Sequence, residues 1–184
     1  LFANDGTGHF EARPEGANLL EDTGRRVSSQ AAVDLDGDSL PEVFVVGPGF
    51  AGMFANLGNL EFGPFELIYR QDAYPFTCFN TMAFGDVDGD GANDIHVLNR
   101  DAPANLLMNQ NPCNGGFVKL NLINRYGSTS QDAVVRFILG ERRLRREIRS
   151  SGGFCSAHDP TLIIGLDNNK TISGVEITWS DGST

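Results

Sequence analysis

Two nine-residue acidic segments, 52 positions apart, decide how this chain folds and what it can bind. The first is Asp34-Leu35-Asp36-Gly37-Asp38-Ser39-Leu40-Pro41-Glu42, and the second is Asp86-Val87-Asp88-Gly89-Asp90-Gly91-Ala92-Asn93-Asp94. Both carry carboxylates at positions 1, 3, 5 and 9 and lead directly into a β-rich segment, at residues 43–46 and 95–98. We call these segments acidic loop 1 and acidic loop 2.

A second motif recurs with the same period. Asn4, Asn56 and Asn109 each end a short apolar run, and they lie 52 and then 53 residues apart. A repeat of about 50 residues is typical of solenoids and propellers, in which one unit cannot bury its apolar face alone. Each repeat holds several short β-like runs and lacks amphipathic helical spacing. We therefore predict propeller blades of about four antiparallel strands.

Composition agrees with an all-β protein and excludes several partners. Glycine accounts for 22 of 184 residues, and the glycines cluster in turns, as in all-β chains. The formal net charge is −10, which disfavours nucleic acid and anionic membranes as partners. No apolar run reaches the roughly 18 residues of a membrane span. The sequence starts and stops inside motifs, so we expect a piece of a longer polypeptide.

The residues after the repeat predict a different unit. Residues 1–115 carry 17 acidic and 5 basic side chains, whereas residues 116–184 carry 7 and 9. Strand patterns cover 117–123, 161–164 and 174–179, and residues 133–139 and 142–149 form a predicted hairpin turned at Gly140-Glu141. A cluster of turn-forming residues lies at 111–116. We expect propeller blades over 1–112 and a small antiparallel β domain, a sandwich, over 113–184.

The acidic loops predict two Ca²⁺ sites. Closely spaced carboxylates repel one another unless a cation neutralises them, and Ca²⁺ prefers six to eight oxygen ligands. The expected side-chain ligands are Asp34, Asp36, Asp38 and Glu42 in loop 1, and Asp86, Asp88, Asp90 and Asp94 in loop 2. The backbone carbonyls of Leu40 and Ala92, at position 7, are the natural additional ligands.

The loop sequences suggest two other interpretations. An EF-hand requires glutamate at position 12, where this chain has Val45 and Val97, so that hypothesis fails. Solvated acidic turns that bind nothing are the alternative, and two copies in register with the repeat disfavour it. We expect loop 1 to bind more weakly, because Ser39 replaces the glycine of loop 2 and Glu42 replaces its aspartate.

These motifs resemble two known families. The acidic pattern before a strand, with the Phe-x-Asn and Asn-x-Gly turns, looks like the FG-GAP/VCBS repeat over roughly residues 1–110. Downstream, Ser151-Gly152-Gly153-Phe154, Asp159-Pro160, Gly165-Leu166 and the run 175–179 resemble the UnbV/ASPIC domain. The resemblance implies calcium-binding β-propeller blades like those of integrin α-subunit heads. The order of the two modules, repeat and then UnbV/ASPIC domain, is that of proteins similar to cartilage acidic protein and of many bacterial secreted proteins.

Cysteines and one sequon bear on the cellular compartment. Cys78, Cys113 and Cys155 are an odd number, so an extracellular chain would form one pair, with Cys113–Cys155 slightly favoured, and leave one thiol over. Three buried free thiols are the alternative. Asn169 heads the only glycosylation sequon, which matters in a secreting eukaryote.

Neither of two further side-chain groups predicts a catalytic site. His158 stands beside Asp159 with serines nearby, but catalytic triads assemble across a fold rather than within one loop. The basic run 142–149 suggests either a surface for a sulfated glycan or an acidic partner, the propeller included, or a solvated hairpin with ordinary ion pairs, which we favour.

The sequence therefore predicts a non-enzymatic, calcium-binding extracellular scaffold or adhesion protein with a protein or glycan partner. The alternatives are a secreted enzyme with its active site on further blades, and a glycan-binding module that uses the arginine hairpin. Fold alone does not choose among these classes.

Overall fold

A computed structural model describes residues 2–13, 23–70, 79–100, 103–111, 116–149, 151–153, 156–166 and 171–184. All regular elements in these ranges are β-strands, paired antiparallel, and no sheet among them closes into a barrel. No helix in the same ranges is long and apolar enough to cross a membrane. The prediction of an all-β chain with a partial propeller is confirmed.

Three sheets hold the repeat. β1 (Phe2–Asn4) pairs with β2 (Phe10–Ala12). A four-stranded sheet follows, in the order β3 (Ser29–Val33), β4 (Glu42–Gly47), β5 (Phe50–Gly58) and β6 (Glu61–Arg70). The next sheet orders β7 (Phe79–Gly85), β8 (Asp94–Asn99) and β9 (Asn105–Leu107). The four-stranded meander is the blade that the repeat predicts.

Strand register repeats with the sequence period. Asn4 pairs with Phe10, and Asn56 pairs with Phe62, 52 residues further on. The hairpin β1–β2 therefore occupies the place in its repeat that β5–β6 occupies in the next.

β4 shows why residues 43–46 form a continuous apolar run. Phe44 and Val46 lie in a core cluster that also contains Met82, Phe84 and Val97 of the three-stranded sheet. Val45 is buried on the opposite face, with Phe50 and Phe54. Because β4 is covered on both faces, it needs apolar side chains at every position rather than at alternate ones.

The C-terminal residues build three further sheets. β10 (Phe117–Leu120) pairs with β15 (Leu162–Gly165), and β13 (Ser151–Gly153) pairs with β14 (Ser156–Ala157). β11 (Val134–Leu139) lies between β12 (Arg142–Glu147) and β16 (Gly174–Thr178). Leu139 pairs with Arg142, which confirms the predicted hairpin.

A separate hydrophobic core lies among these sheets. Val135, Phe137 and Ile164 are buried in it, and Val118 and Leu120 pack against it. The alternation predicted for β10 thus directs its apolar side chains into this core and leaves Phe117 and Lys119 on the other face. We refer to residues 116–184, where described, as the C-terminal unit.

Candidate metal centre

Each acidic loop is the turn of a hairpin between the first two strands of its sheet. Loop 1 joins β3 to β4, with Val33 paired to Glu42, and loop 2 joins β7 to β8, with Gly85 paired to Asp94. The position-9 carboxylate therefore begins the following strand in both copies, as the sequence predicts.

The loops curl because their backbones use left-handed conformations. Gly37 and Gly89, at position 4, have φ of 78° and 85°. Position 6 is also left-handed, with φ of 92° at Gly91 and 72° at Ser39. A non-glycine residue seldom adopts this conformation, so Ser39 carries local strain that loop 2 avoids.

In loop 1, Asp34, Asp36 and Glu42 converge. Each of the three offers a carboxylate oxygen, and these oxygens all lie within 4.8 Å of one another. The loop shape is fixed by short bonds to its own backbone: Asp34 Oδ1 accepts the Gly37 N–H at 2.8 Å, and Asp38 Oδ1 accepts the Leu40 N–H at 2.7 Å. Asp38 lies outside the group of three.

One oxygen of loop 1 is buried without a hydrogen bond. Asp34 Oδ2 has no hydrogen-bond partner, and Arg146 Nη2, at 4.0 Å, is beyond hydrogen-bond distance. Burial raises the pKa of Asp34 to about 6, against smaller lowering effects of the Gly37 N–H and Arg146. Burial likewise raises the pKa of Glu42 to about 7, and the charges of Asp36 and Asp34 add to the increase. Loop 1 thus holds negative charge that the protein groups around it do not fully compensate.

In loop 2 the carboxylates at positions 1, 3 and 5 converge, rather than those at 1, 3 and 9: Asp86, Asp88 and Asp90 each place one oxygen within 4.8 Å of the others. Asp86 Oδ1 accepts the Gly89 N–H at 2.6 Å, and Oδ2 accepts the Gly91 N–H at 2.7 Å. Lys119 Nζ also lies 2.7 Å from Asp86 Oδ2. Burial raises the pKa of Asp86, but the bonds from Lys119, Gly91 and Gly89 outweigh it, so the pKa lies below its usual range.

The position-9 carboxylates also bind backbone groups. Glu42 Oε2 accepts the Leu35 N–H at 2.8 Å, and Asp94 Oδ2 accepts the equivalent Val87 N–H at 2.8 Å. Asp94 Oδ1 accepts the Asn109 N–H at 2.8 Å, a bond that Glu42 makes to Asn56 at a looser 3.5 Å. Asp94 lies outside the loop 2 group of three.

The repeated asparagines complete this arrangement, a role that sequence reasoning did not assign. Asn56 Nδ2 donates to the Pro41 carbonyl at 2.9 Å, and Asn109 Nδ2 donates to the Asn93 carbonyl at 3.2 Å. Asn109 Nδ2 also reaches the Leu35 carbonyl at 2.6 Å and so ties the two loops together. The 52- and 53-residue spacing was the signal that these amides serve the acidic loops.

The residues present fit a hard divalent cation. The donor set consists of carboxylate oxygens, which Ca²⁺ prefers, on loops whose glycines allow tight curvature. The buried Asp34 Oδ2, which accepts no hydrogen bond, is the kind of atom that a cation would satisfy. Leu40 and Ala92 donate their N–H groups within the loops, and carbonyl ligation by these two residues stays a prediction.

The C-terminal unit lies against both loops. Phe117 and Gly165 are direct partners in the β10–β15 ladder. A Cβ at Gly91 of loop 2 would overlap the Phe117 ring, and a Cβ at Gly165 would overlap the Gly37 carbonyl oxygen of loop 1. One cross-strand pair therefore packs against a glycine of each acidic loop.

Two arginines of the basic hairpin bind loop 1. Arg142 Nη2 donates to the Asp38 carbonyl at 2.9 Å, and Arg146 Nη2 donates to the Ser39 carbonyl at 2.7 Å. The favoured interpretation of a solvated hairpin is therefore wrong for these two side chains, because the tertiary fold brings them to a loop about 100 residues away. It does describe Arg145 and Arg149, which form ion pairs with Glu147.

His158 holds the C-terminal unit to β7. Its Nδ1 accepts the Phe84 N–H at 3.3 Å, and its ring lies 5.1 Å from the Phe84 ring, centroid to centroid. The neighbouring Asp159 N–H donates to the Phe84 carbonyl at 3.0 Å. Burial lowers the pKa of His158, which favours the neutral imidazole that this contact requires. His158 thus has a packing role at the junction.

Four residues singled out in the sequence lie outside the described ranges, namely Cys78, Cys113, Cys155 and Asn169. The predicted disulfide and the sequon therefore stay predictions.

Comparison with known families agrees with the motifs. No curated protein matches the chain. Residues 34–97, which contain both acidic loops, match the family model of the FG-GAP-like repeat. Residues 127–184, which contain the arginine hairpin and β13–β16, match the family model described as ASPIC and UnbV. The chain thus carries an FG-GAP-like repeat followed by an ASPIC and UnbV segment, the architecture that its sequence motifs predict.

Proposed function

We propose that this chain is a non-enzymatic, calcium-binding extracellular scaffold, whose exposed loops or C-terminal unit engage a protein or glycan partner. FG-GAP-like repeats and ASPIC and UnbV segments are typical of extracellular or surface interaction proteins, and FG-GAP repeats are generally non-catalytic. Both features support a binding role over an enzymatic one.

The observation that carries the calcium assignment is the burial of an Asp34 carboxylate oxygen without a hydrogen bond. Its Oδ2 is buried and makes no hydrogen bond, although two further carboxylates offer oxygens within 4.8 Å. An ionised carboxylate in such a place is costly unless a cation balances it. A bound Ca²⁺ would supply that balance, while Asp34, Asp36 and Glu42 would hold it between β3 and β4.

We further propose two domains, over 1–112 and 113–184. Separate hydrophobic clusters support the division, two built by residues before 108 and one by residues after 117. In this arrangement, metal binding stiffens the blade hairpins that carry the C-terminal unit.

Differential scanning calorimetry of the intact chain tests the calcium assignment. At a Ca²⁺ concentration of about 100 times Kd, we expect each occupied site to raise Tm by roughly 5–10 °C over the value in chelator. Kd itself should lie in the range of extracellular modules, about 10⁻⁴–10⁻³ M, or be tighter.

A ligand-removing variant for this experiment changes position 3 of both loops. Asp36 and Asp88 are exposed, and the double variant Asp36→Ala/Asp88→Ala removes one ligand from each group of three. This variant should fold in chelator and lose most of the calcium-dependent rise. A wild-type Tm that is the same in calcium and in chelator would contradict the proposal.

The glycan-binding alternative has less support. Arg142 and Arg146 already donate hydrogen bonds to carbonyls of loop 1, which leaves fewer of their N–H groups for a sulfated ligand. Retention on heparin that disappears in an Arg145→Ala/Arg149→Ala variant would revive this alternative.

A further inference from the structure

The C-terminal unit brings one cationic side chain within 4.0 Å of the first aspartate of each acidic loop, in different ways. Lys119 Nζ lies 2.7 Å from Asp86 Oδ2, inside the carboxylate group of loop 2. Arg146 stays 4.0 Å from Asp34 Oδ2 and gives its hydrogen bond to the Ser39 carbonyl instead. Loop 2 thus holds a cation on a ligand oxygen, whereas loop 1 does not.

Lys119 is held in this position by its strand. It lies on β10 and pairs with Ile163 of β15. Two residues earlier, Phe117 packs against Gly91 of loop 2, and Lys119 Nζ lies 5.8 Å from the centroid of that ring. The strand that carries Lys119 therefore already packs on loop 2, and this packing positions the lysine beside Asp86.

The recipient carboxylate is almost completely enclosed. The Asp86 side chain is 3% exposed, and Lys119 supplies the positive charge nearest to it. A charge-assisted bond at this distance is among the stronger polar contacts in proteins. A divalent ion bound by Asp86, Asp88 and Asp90 would stand within a few ångströms of the ammonium group, where two cations repel strongly.

We propose that Lys119 is a built-in counter-cation of acidic loop 2, which competes with Ca²⁺ for Asp86 and makes loop 2 the weaker of the two sites. The inference rests on the proposed calcium binding. It reverses the ranking expected from the sequence, where Ser39 and Glu42 made loop 1 the weaker loop. Because coupling is reciprocal, calcium in loop 2 also weakens the hold of that loop on β10. Calcium binding at loop 2 then loosens the contact with the C-terminal unit, while loop 1 stays a structural site.

Calorimetric titration of the intact chain with Ca²⁺ tests this inference. Asp36→Ala silences loop 1, and Lys119→Met is added to remove the charge while keeping most of the aliphatic stem. We expect loop 2 to bind Ca²⁺ roughly tenfold more tightly in Asp36→Ala/Lys119→Met than in Asp36→Ala, because loss of one charge-assisted bond corresponds to about that factor. The matched control is Asp36→Ala/Arg136→Met, which changes net charge equally at an arginine paired with Glu176, on a different sheet. Its affinity should stay within twofold.

A second readout uses the wild-type chain. Lys119 and Lys170 are the only lysines, so NMR of isotope-labelled lysine side chains gives two signals, which Lys119→Met assigns. Calcium should shift the Lys119 signal as the ammonium group leaves Asp86. If Lys119→Met does not fold, Lys119→Gln is titrated with the same expectation.

The outcomes separate the two proposals. Equal or weaker binding in the Lys119 variant, or an unchanged Lys119 signal at saturating calcium, would overturn the inference and leave calcium binding intact. Absence of calcium binding in loop 2 of every variant, with binding in loop 1 retained, would also overturn it. Absence of binding in the wild-type chain would overturn the proposed function itself.

Discussion

Asn109 shows how much a single side chain contributes at the residue scale. Its amide joins the carbonyls of Leu35 and Asn93, and its backbone N–H binds Asp94. One residue, two positions after the end of β9, therefore binds both acidic loops. In the preceding repeat, Asn56 binds Pro41 and Glu42 in the same way, which explains why asparagine recurs at these positions.

The first prediction concerns the charge of Asp34. Its pKa is raised from 3.8 to about 6, so the folded chain binds this proton more tightly than the unfolded chain does. The stability that Asp34 contributes is therefore full below about pH 4 and is lost as pH rises toward 6 and above. In chelator, Asp34→Asn should be stabilising relative to wild type at pH 7.5, and less so at pH 5.5. Urea denaturation at the two pH values measures the difference.

A control for this prediction lies at the far end of the chain. Asp181 is fully exposed and accepts bonds from Ser183, which hold its pKa below the usual range. Asp181→Asn should change stability equally at both pH values, because that carboxylate is ionised throughout. If the stabilisation by Asp34→Asn does not grow with pH, then the buried charge of Asp34 does not destabilise the folded chain. In calcium, Asp34→Asn should become destabilising.

At the scale of elements, the fit of β10 onto loop 2 depends on a glycine. Gly91 has φ of 92°, and the Phe117 ring occupies the space that a Cβ would need. Gly89, two residues earlier, has φ of 85° but no atom within 4 Å of such a Cβ. The two glycines therefore share the backbone requirement and differ only in packing.

This pair gives a prediction for the strand–loop contact. Gly89→Ala should cost about 1 kcal/mol of unfolding free energy, from the left-handed backbone alone. Gly91→Ala should cost about 1–3 kcal/mol more, because Phe117 must move away from the loop. Chemical denaturation of both variants in chelator measures the difference. Equal costs would show that Phe117 does not pack on loop 2 in solution.

The elements divide into those that local sequence predicts and those that it does not. The apolar run 43–46, the acid at the start of β8 and the Gly140 turn are local patterns, and the strands formed where these patterns indicate. Strand ends were less predictable: the pattern 117–123 extended three residues beyond β10, which ends at Leu120. Backbone hydrogen bonding to β15, rather than side-chain alternation, sets that end.

At the scale of the whole molecule, charged side chains of the C-terminal unit bind the acidic loops, and the hydrophobic clusters before residue 108 share no residue with the cluster after residue 117. Arg142, Arg146 and Lys119 approach the acidic loops from the C-terminal unit. His158 adds a contact to β7. Opposite charges therefore meet at these contacts, because residues 1–115 carry net negative charge and residues 116–184 carry a slight net positive charge. The charge asymmetry of the sequence reflects this internal surface as well as the solvent-facing one.

These long-range contacts explain why the site was only partly predictable. The ligand pattern is visible in nine consecutive residues, but Lys119 and Arg146 lie 33 and more than 100 residues from the acids they approach. The raised pKa of Asp34 depends on burial by elements that sequence spacing does not locate. Local chemistry indicated a cation site, whereas the different cationic contacts of the two loops arise from tertiary packing.

Anomalous X-ray diffraction from crystals of the intact chain, grown with millimolar Ca²⁺, tests the central claim most directly. The account predicts an anomalous peak in loop 1 among oxygens of Asp34, Asp36 and Glu42, lost when crystals are grown with chelator. Density in that space that refines only as water, with calcium at saturating concentration, would contradict the claim that the acidic loops bind a metal.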